Sequence, residues 1–281
     1  MTFTDVFQAG GFSLPLGKKT YVMGILNVTP DSFSDGGQYL DPEAAARRAF
    51  EIQTQGADII DIGACSTRPG ASVLGADEEN ARLLPVLKLI EGRLDIPVSI
   101  DTTHVQTARL ALEHGACIIN CVSGMLDPAL LALAAQWGAG YVAMHNAGGA
   151  DKTQTVYPEG VIAAIRTFFE KAFATATRAG IPPERLCFDP GIGFGKSYID
   201  NLCVIRCLRE LKIDDCAILV GASRKRLIGT ASGETNPGNR LAGTIAAHTI
   251  AIAGGADIIR VHDVAQAAQA AKTTDSVIRQ V

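Results

Sequence analysis

Chemistry-bearing residues in this chain fall at the ends of short apolar runs. Asn27, Asp61, Asp101, Asn120, His145, Asp189 and the pair Arg260/His262 each end such a run, and another leads into Ser223-Arg224-Lys225. A lone Asp there usually caps the next helix. Asp101, Asn120 and Asp189 facing one pocket could do more: together they can bind a flat heterocycle carrying amino and ring N–H groups. Asn27 opens an eleven-residue stretch, Asn27 to Gly37, which reads either as a turn-rich loop or as a long, lid-like connection. Its neutral oxygen can ligate Mg²⁺ beside a phosphate. Arg68, in Ser66-Thr67-Arg68-Pro69-Gly70, is a candidate anion clamp because a guanidinium matches phosphate oxygens in pairs. Arg224-Lys225-Arg226 reads either as a solvated loop or as the source of at least one inward-pointing lysine. Strand alternation puts Arg260 and His262 on the same side, although His262 could equally be a structural histidine.

The elements that position these groups recur. Gly-Ala followed by an apolar run appears at Gly56 to Asp61, Gly115 to Asn120, Gly138 to Val142 and Gly255 to Arg260, each time after an Ala/Leu-rich helical stretch. The glycine suits a helix C-terminus with positive φ, and the Ile/Val run suits a strand buried on both faces. With Tyr21 to Leu26, Pro97 to Ile100, Leu186 to Phe188 and Ala217 to Val220, the count reaches eight strands separated by helical stretches. Asp41-Pro42 and Asp127-Pro128 mark helix starts. The pattern predicts a (β/α)8 TIM barrel of one domain over 1–281, with 1–19 an N-terminal extension leading into it. A doubly wound open sheet is the runner-up. A barrel collects all strand C-termini at one mouth, and the loops after its last two strands commonly hold phosphate.

Composition narrows the function classes. The chain has 281 residues, 47% hydrophobic and 19% charged, with net charge -4, which allows a large core and offers no basic field for nucleic acid. Apolar stretches of about five to eight residues fall far short of the roughly 18 needed to span a membrane. No signal peptide is evident at the N-terminus. Seven scattered cysteines form no C-x-x-C pair, so reduced thiols in the cytoplasm are expected. The Gly-rich run Asp189-Pro190-Gly191-Ile192-Gly193-Phe194-Gly195-Lys196 fits neither a Walker loop nor a dinucleotide fingerprint, because its spacing is wrong for both.

Six ordered motifs resemble one family. Gly24 to Gly37 and Ser66 to Ala71 are similar to the two signatures of dihydropteroate synthases. Ser99-Ile100-Asp101-Thr102, Asp189 to Lys196, Ser223-Arg224-Lys225 and Arg260 to Val264 follow in order and spacing, so the resemblance covers about residues 13 to 281. It implies a pterin-binding barrel that joins a pterin pyrophosphate to p-aminobenzoate with Mg²⁺, and a homodimer whose apolar face could come from the last two helices. By the same resemblance Asp101, Asn120, Asp189 and Lys225 hold the pterin, and Asn27 ligates Mg²⁺. Arg68, Arg260 and His262 hold the pyrophosphate. Thr67, Pro69 and Asp35 belong to closing loops, and Phe33 and Phe194 border the p-aminobenzoate slot. Asp35, Arg68 and Lys225 are the expected catalytic groups. The sequence departs from the family pattern at Cys65, Cys121 and Asn146. Two other activities are compatible with a pterin cradle: a methyltetrahydrofolate methyltransferase, which would not need the anion set, and a catalytically weak pterin binder.

Overall fold

The computed structural model describes residues 6–29, 41–64, 74–148, 155–213 and 216–279. It opens with an antiparallel hairpin, β1 (Val6–Ala9) and β2 (Phe12–Pro15). Strand–helix units follow: β3 (Tyr21–Asn27) with α1 (Pro42–Thr54), β4 (Ile59–Gly63) with α2 (Ala76–Ile90), β5 (Val98–Asp101) with α3 (Val105–Glu113), and β6 (Ile118–Cys121) with α4 (Pro128–Trp137). The second half continues with β7 (Gly140–Met144), α5 (Val161–Arg178), β8 (Leu186–Asp189), α6 (Tyr198–Arg206), β9 (Ala217–Val220), α7 (Arg226–Ser232), α8 (Leu241–Ala253), β10 (Ile258–Val261) and α9 (Val264–Arg279). The parallel strands close in the order β10-β3-β4-β5-β6-β7-β8-β9, so the barrel, and not the open sheet, is the architecture.

Local signals act as expected. Asp41 accepts from the backbone N–H groups of Glu43 and Ala44, and Asp127 from that of Ala129, each just before a proline in the first turn. The recurring glycines Gly56, Gly115, Gly138 and Gly255 all have positive φ, which lets each helix turn sharply into its strand.

Period-two alternation divides the barrel strands other than β5 between two apolar cores, β5 placing Ser99 inward instead. Outward residues such as Val22, Ile60, Ile100, Ile119, Phe188, Ile218 and Ile259 pack under the helices. Inward residues Met23, Ile59, Ile118, Val142, Cys187, Leu219 and Ile258 form a separate apolar cluster, which Phe7, Leu14 and Leu16 join from the N-terminal segment. The stretch expected only to lead into the barrel therefore plugs its base. Its four-residue strands are too short to show a clear period in sequence.

Helix packing depends on one small residue. A Cβ on Gly24 would stand 2.5 Å from Ile52 Cγ2 and 3.0 Å from Val264 Cγ2, the contacts of α1 and α9 with β3. Gly24→Ala is expected to cost about 1–3 kcal/mol by overpacking. Urea denaturation measures it, and an unchanged midpoint would contradict this packing.

Candidate active site

Directly above the inward apolar layer lies a polar one. Two residues beyond Ile59 stands Asp61, beyond Ile118 Asn120, beyond Cys187 Asp189, and beyond Ile258 Arg260. Ser99 and Asp101 occupy the same face of β5. The register pairs Asp61 with Ser99 and Asp101 with Asn120 across neighbouring strands. The barrel thus carries a buried ring of polar groups toward the C-terminal ends of its strands.

Asp61 is the hub of that ring. Its side chain accepts from Ser99 Oγ at 2.6 Å, Asn120 Nδ2 at 3.1 Å and Arg260 Nε at 2.6 Å. Arg260 also donates from Nη2 to Asp101 Oδ2 at 2.7 Å. The groups expected to hold a heterocycle and those expected to hold an anion are therefore in direct contact. Asp61 is fully buried with both oxygens engaged inside the ring, whereas its neighbours keep unbonded acceptors. Among the described residues Asp101 Oδ1, the side-chain Oδ1 of Asn120 and one oxygen of Asp189 take no hydrogen bond; the other Asp189 oxygen accepts from Gly191 N–H at 2.7 Å.

Lys225, the N-cap of α7, supplies the cation beside these acceptors. Its ammonium donates to Ile192 O and stands 4.8 Å from the Phe194 ring centroid. Gly221 lies beside it: a Cβ there would stand 3.7 Å from Arg260 Cβ and 3.9 Å from Lys225 Nζ, ordinary contact distances. Of the three adjacent cations only Lys225 turns inward, while Arg224 pairs with Asp263 and Arg226 is exposed. His262 Nδ1 lies 3.0 Å from Ser223 Oγ, which also accepts from the His262 backbone N–H at 3.2 Å. Ser223→Ala is expected to remove about 1 kcal/mol of this support and to lower turnover severalfold. Steady-state kinetics measure it, and wild-type turnover would show that His262 needs no such brace.

Burial sets the protonation states. It raises the Asp101 carboxyl to about 7, with Arg260 pulling the other way and Asp61 adding to the rise. Asp189 is also raised by burial, opposed chiefly by Lys225. Burial lowers Lys225 to about 8, with Asp189 restoring part of the charge preference.

Several contributing residues escaped the sequence reading. Asp61 stood among the strand-end groups without a role. In sequence Lys196 ends a Gly-rich run that is one of the six motifs, with no role of its own. Its buried ammonium donates to the carbonyls of His145, Gly191 and Phe194 at 3.2, 3.0 and 3.2 Å and meets His145 Nδ1 at 2.9 Å. His145 is held down to about 3 by burial and then by Lys196, so its imidazole is neutral and accepts. This knot fixes the loop that carries Ile192 and Phe194. Glu79 accepts from Thr102 Oγ1 and pairs with His104 Nδ1, both at 2.9 Å, and so pins the chain after Asp101. A buried glutamate in a helix's first turn left no signal beyond its acidity.

Asn27 ends β3, and its side chain takes no hydrogen bond among the described residues. Phe33, Asp35, Thr67, Arg68 and Pro69 lie outside the described residues.

The pattern match extends well beyond these side chains. The model of the family described as pterin binding enzyme matches residues 23–262. A dihydropteroate synthase from Synechocystis is 45% identical over 265 residues, which cover 94% of this chain and 92% of that protein. The chain belongs to the dihydropteroate synthase family. Solved members are similar throughout. A Clostridium difficile dihydropteroate synthase, crystallised in the presence of pteroic acid, gives a TM-score of 0.88 at 43% identity, covering 94% of this chain and 98% of that one. One from Xanthomonas albilineans, in complex with 7,8-dihydropteroate, gives 0.86 at 36% identity, covering 97% and 98%. The closed barrel and the ordered motifs of this chain are thus those of a dihydropteroate synthase.

Proposed function

We propose that the chain condenses (7,8-dihydropterin-6-yl)methyl diphosphate with p-aminobenzoate, releasing pyrophosphate and forming 7,8-dihydropteroate. The observation that carries this reading is the set of three unbonded acceptors, on Asp101, Asn120 and Asp189, within one ring that also contains Arg260 and borders Lys225. Acceptors in that arrangement suit the amino and ring N–H donors of a pterin edge, and Lys225 suits its carbonyl or ring nitrogen.

The reacting carbon loses diphosphate as the arylamine nitrogen forms the new C–N bond and then gives up a proton. Negative charge develops on the departing oxygens, so cationic donors fixed beside them lower the barrier. Arg260 and His262 would supply them from β10 and the residue after it, and Arg68 from the loop after β4. Arg260 retains three further guanidinium N–H groups after its bonds to Asp61 and Asp101. Phe194 would border the p-aminobenzoate slot with Phe33. Asp35, Thr67 and Pro69 would help close the loops and exclude the water that traps a cation-like carbon.

Mg²⁺ fits the donor set. Asn27 offers an unbonded neutral oxygen, and no group of three His, Cys, Asp or Glu suited to a metal occurs among the described residues. An ion held by Asn27 would therefore complete its shell with diphosphate and water oxygens, as Mg²⁺ prefers. When bound it neutralises charge on the leaving group.

We further read residues 1–281 as one domain acting in the cytoplasm; no helix among the described residues is long and apolar enough to cross a membrane. Ile250 on α8 and Val277 on α9 are 55% and 75% exposed and support a homodimer contact on these helices.

The test is direct. Dihydropterin diphosphate, p-aminobenzoate and Mg²⁺ are mixed with the protein, and pyrophosphate release is followed. Release no faster than without protein would leave a pterin binder. Methyl transfer from methyltetrahydrofolate to a corrinoid partner would instead assign a methyltransferase.

A further inference from the structure

Arg224 is the only residue other than glycine with a left-handed backbone among the described residues, at φ 59°. It occupies a turn closed by Lys225 N–H donating to Ala222 O at 3.2 Å. Positive φ in such a turn is the place of glycine or asparagine, which adopt it with less strain. An arginine there requires a reason in its side chain.

The side chain supplies one. Arg224 Nε donates to Asp263 Oδ2 at 3.0 Å, and Nη2 donates to Oδ1, a two-pronged bond that only a guanidinium forms. The strained backbone is tied on both sides: Arg224 N–H donates to Thr244 Oγ1 at 3.0 Å, and Arg240 Nη1 donates to Arg224 O at 3.1 Å. The neighbours of both partners face the site. Ser223 contacts His262, Lys225 contacts Ile192 O, and Asp263 directly follows His262. The clamp therefore joins the loop after β9 to the loop after β10 at the positions that carry Lys225 and His262.

We infer that Arg224 is a positioning residue for the synthase reaction: its forked bond to Asp263 sets the spacing between Lys225, on the pterin side, and His262, on the diphosphate side. This rests on the synthase reading. A glycine would relieve the turn but would leave the two loops unjoined. A clamp serving only stability would instead give activity losses that track stability losses.

Four variants separate these roles: Arg224→Gly, Arg224→Ala, Asp263→Asn and the double variant Arg224→Gly/Asp263→Asn. In Arg224→Gly, relief of strain offsets the lost ion pair, so the melting temperature stays near wild type. Its kcat nevertheless falls about 10-fold or more, and KM for dihydropterin diphosphate rises, as expected when positioned groups are displaced. Arg224→Ala, which keeps the strain and loses the bond, melts lower than Arg224→Gly. Asp263→Asn matches Arg224→Gly in kcat, and the double variant is no worse than either single one. If Arg224→Gly fails to fold, the isosteric Asp263→Asn carries the same test. Kinetic constants within about twofold of wild type in the folded single variant, or losses that multiply in the double variant, would overturn the inference. A wild-type protein that releases no pyrophosphate would overturn the synthase reading itself, and this inference with it.

Discussion

Arg260→Ala is expected to lower turnover by about 10²–10³-fold and to destabilise the fold by about 3–5 kcal/mol. Two separate effects combine. Arg260 is the guanidinium between Asp61, which is fully buried, and Asp101, which is nearly so. Removing it leaves two carboxylates in a low-dielectric ring without their shared counter-charge, and Asp61 cannot turn to water. The same deletion removes the three N–H groups left over from those bonds, which would meet the leaving-group charge. Arg260→Lys separates the effects. It restores one positive charge between the carboxylates but cannot fork to both while presenting donors outward. Lysine is therefore expected to recover stability more than turnover. Pyrophosphate release gives the first quantity and urea denaturation the second. An Arg260→Ala protein with wild-type turnover would remove Arg260 from the reaction, and one with wild-type stability would show that the ring does not need its cation.

The same ring explains which parts of the site were legible in sequence. All eight barrel strands could be read as apolar runs, four of them after helix-ending glycines, because every strand of a covered parallel barrel is buried on both faces. That continuity hides which face is inward. Ile59 and Ile60 look alike, yet one enters the barrel and the other packs under helices. The first polar residue breaks the symmetry: Asp61 shares the face of Ile59, and Arg260 that of Ile258. Strand-end polarity thus located the mouth but not the pairing within it. The partnership of Asp61, Asp101 and Arg260 joins positions up to 199 residues apart, and no local spacing encodes it. Lys196 was hidden for a different reason. Its ammonium satisfies two backbone carbonyls of a glycine-rich loop and a third at His145, just after β7, and carbonyls leave no mark on a sequence. The hairpin plug escaped because Phe7 and Leu14 acquire meaning only against the barrel base.

Protonation of the ring leads to the other large effect, a bell-shaped pH dependence of pterin binding. Burial raises Asp101 to about 7, and burial lowers Lys225 to about 8. For an acid raised in the folded state, the stability contribution is complete below its ordinary value near 3.8 and is lost as pH rises through about 7. Binding runs the other way. Donors on a pterin edge prefer the carboxylate, so affinity climbs as pH rises through about 7, at the expense of protein stability. Lys225 must keep its proton to donate, so affinity falls again as pH passes about 8. Arg260 need not leave for the ligand to enter, because it occupies Asp101 Oδ2 and leaves Oδ1 open. Asp101→Asn is expected to weaken pterin binding about 10- to 100-fold, as for loss of a hydrogen bond to a charged group, and to abolish the acid limb while keeping the alkaline one. Lys225→Met is expected to do the reverse. Calorimetric titration with a pterin across pH 6 to 9, with both variants, reads each limb separately. An acid limb that persists in Asp101→Asn would transfer that titration to another group, with Asp189, whose carboxyl is also raised by burial, the next to replace.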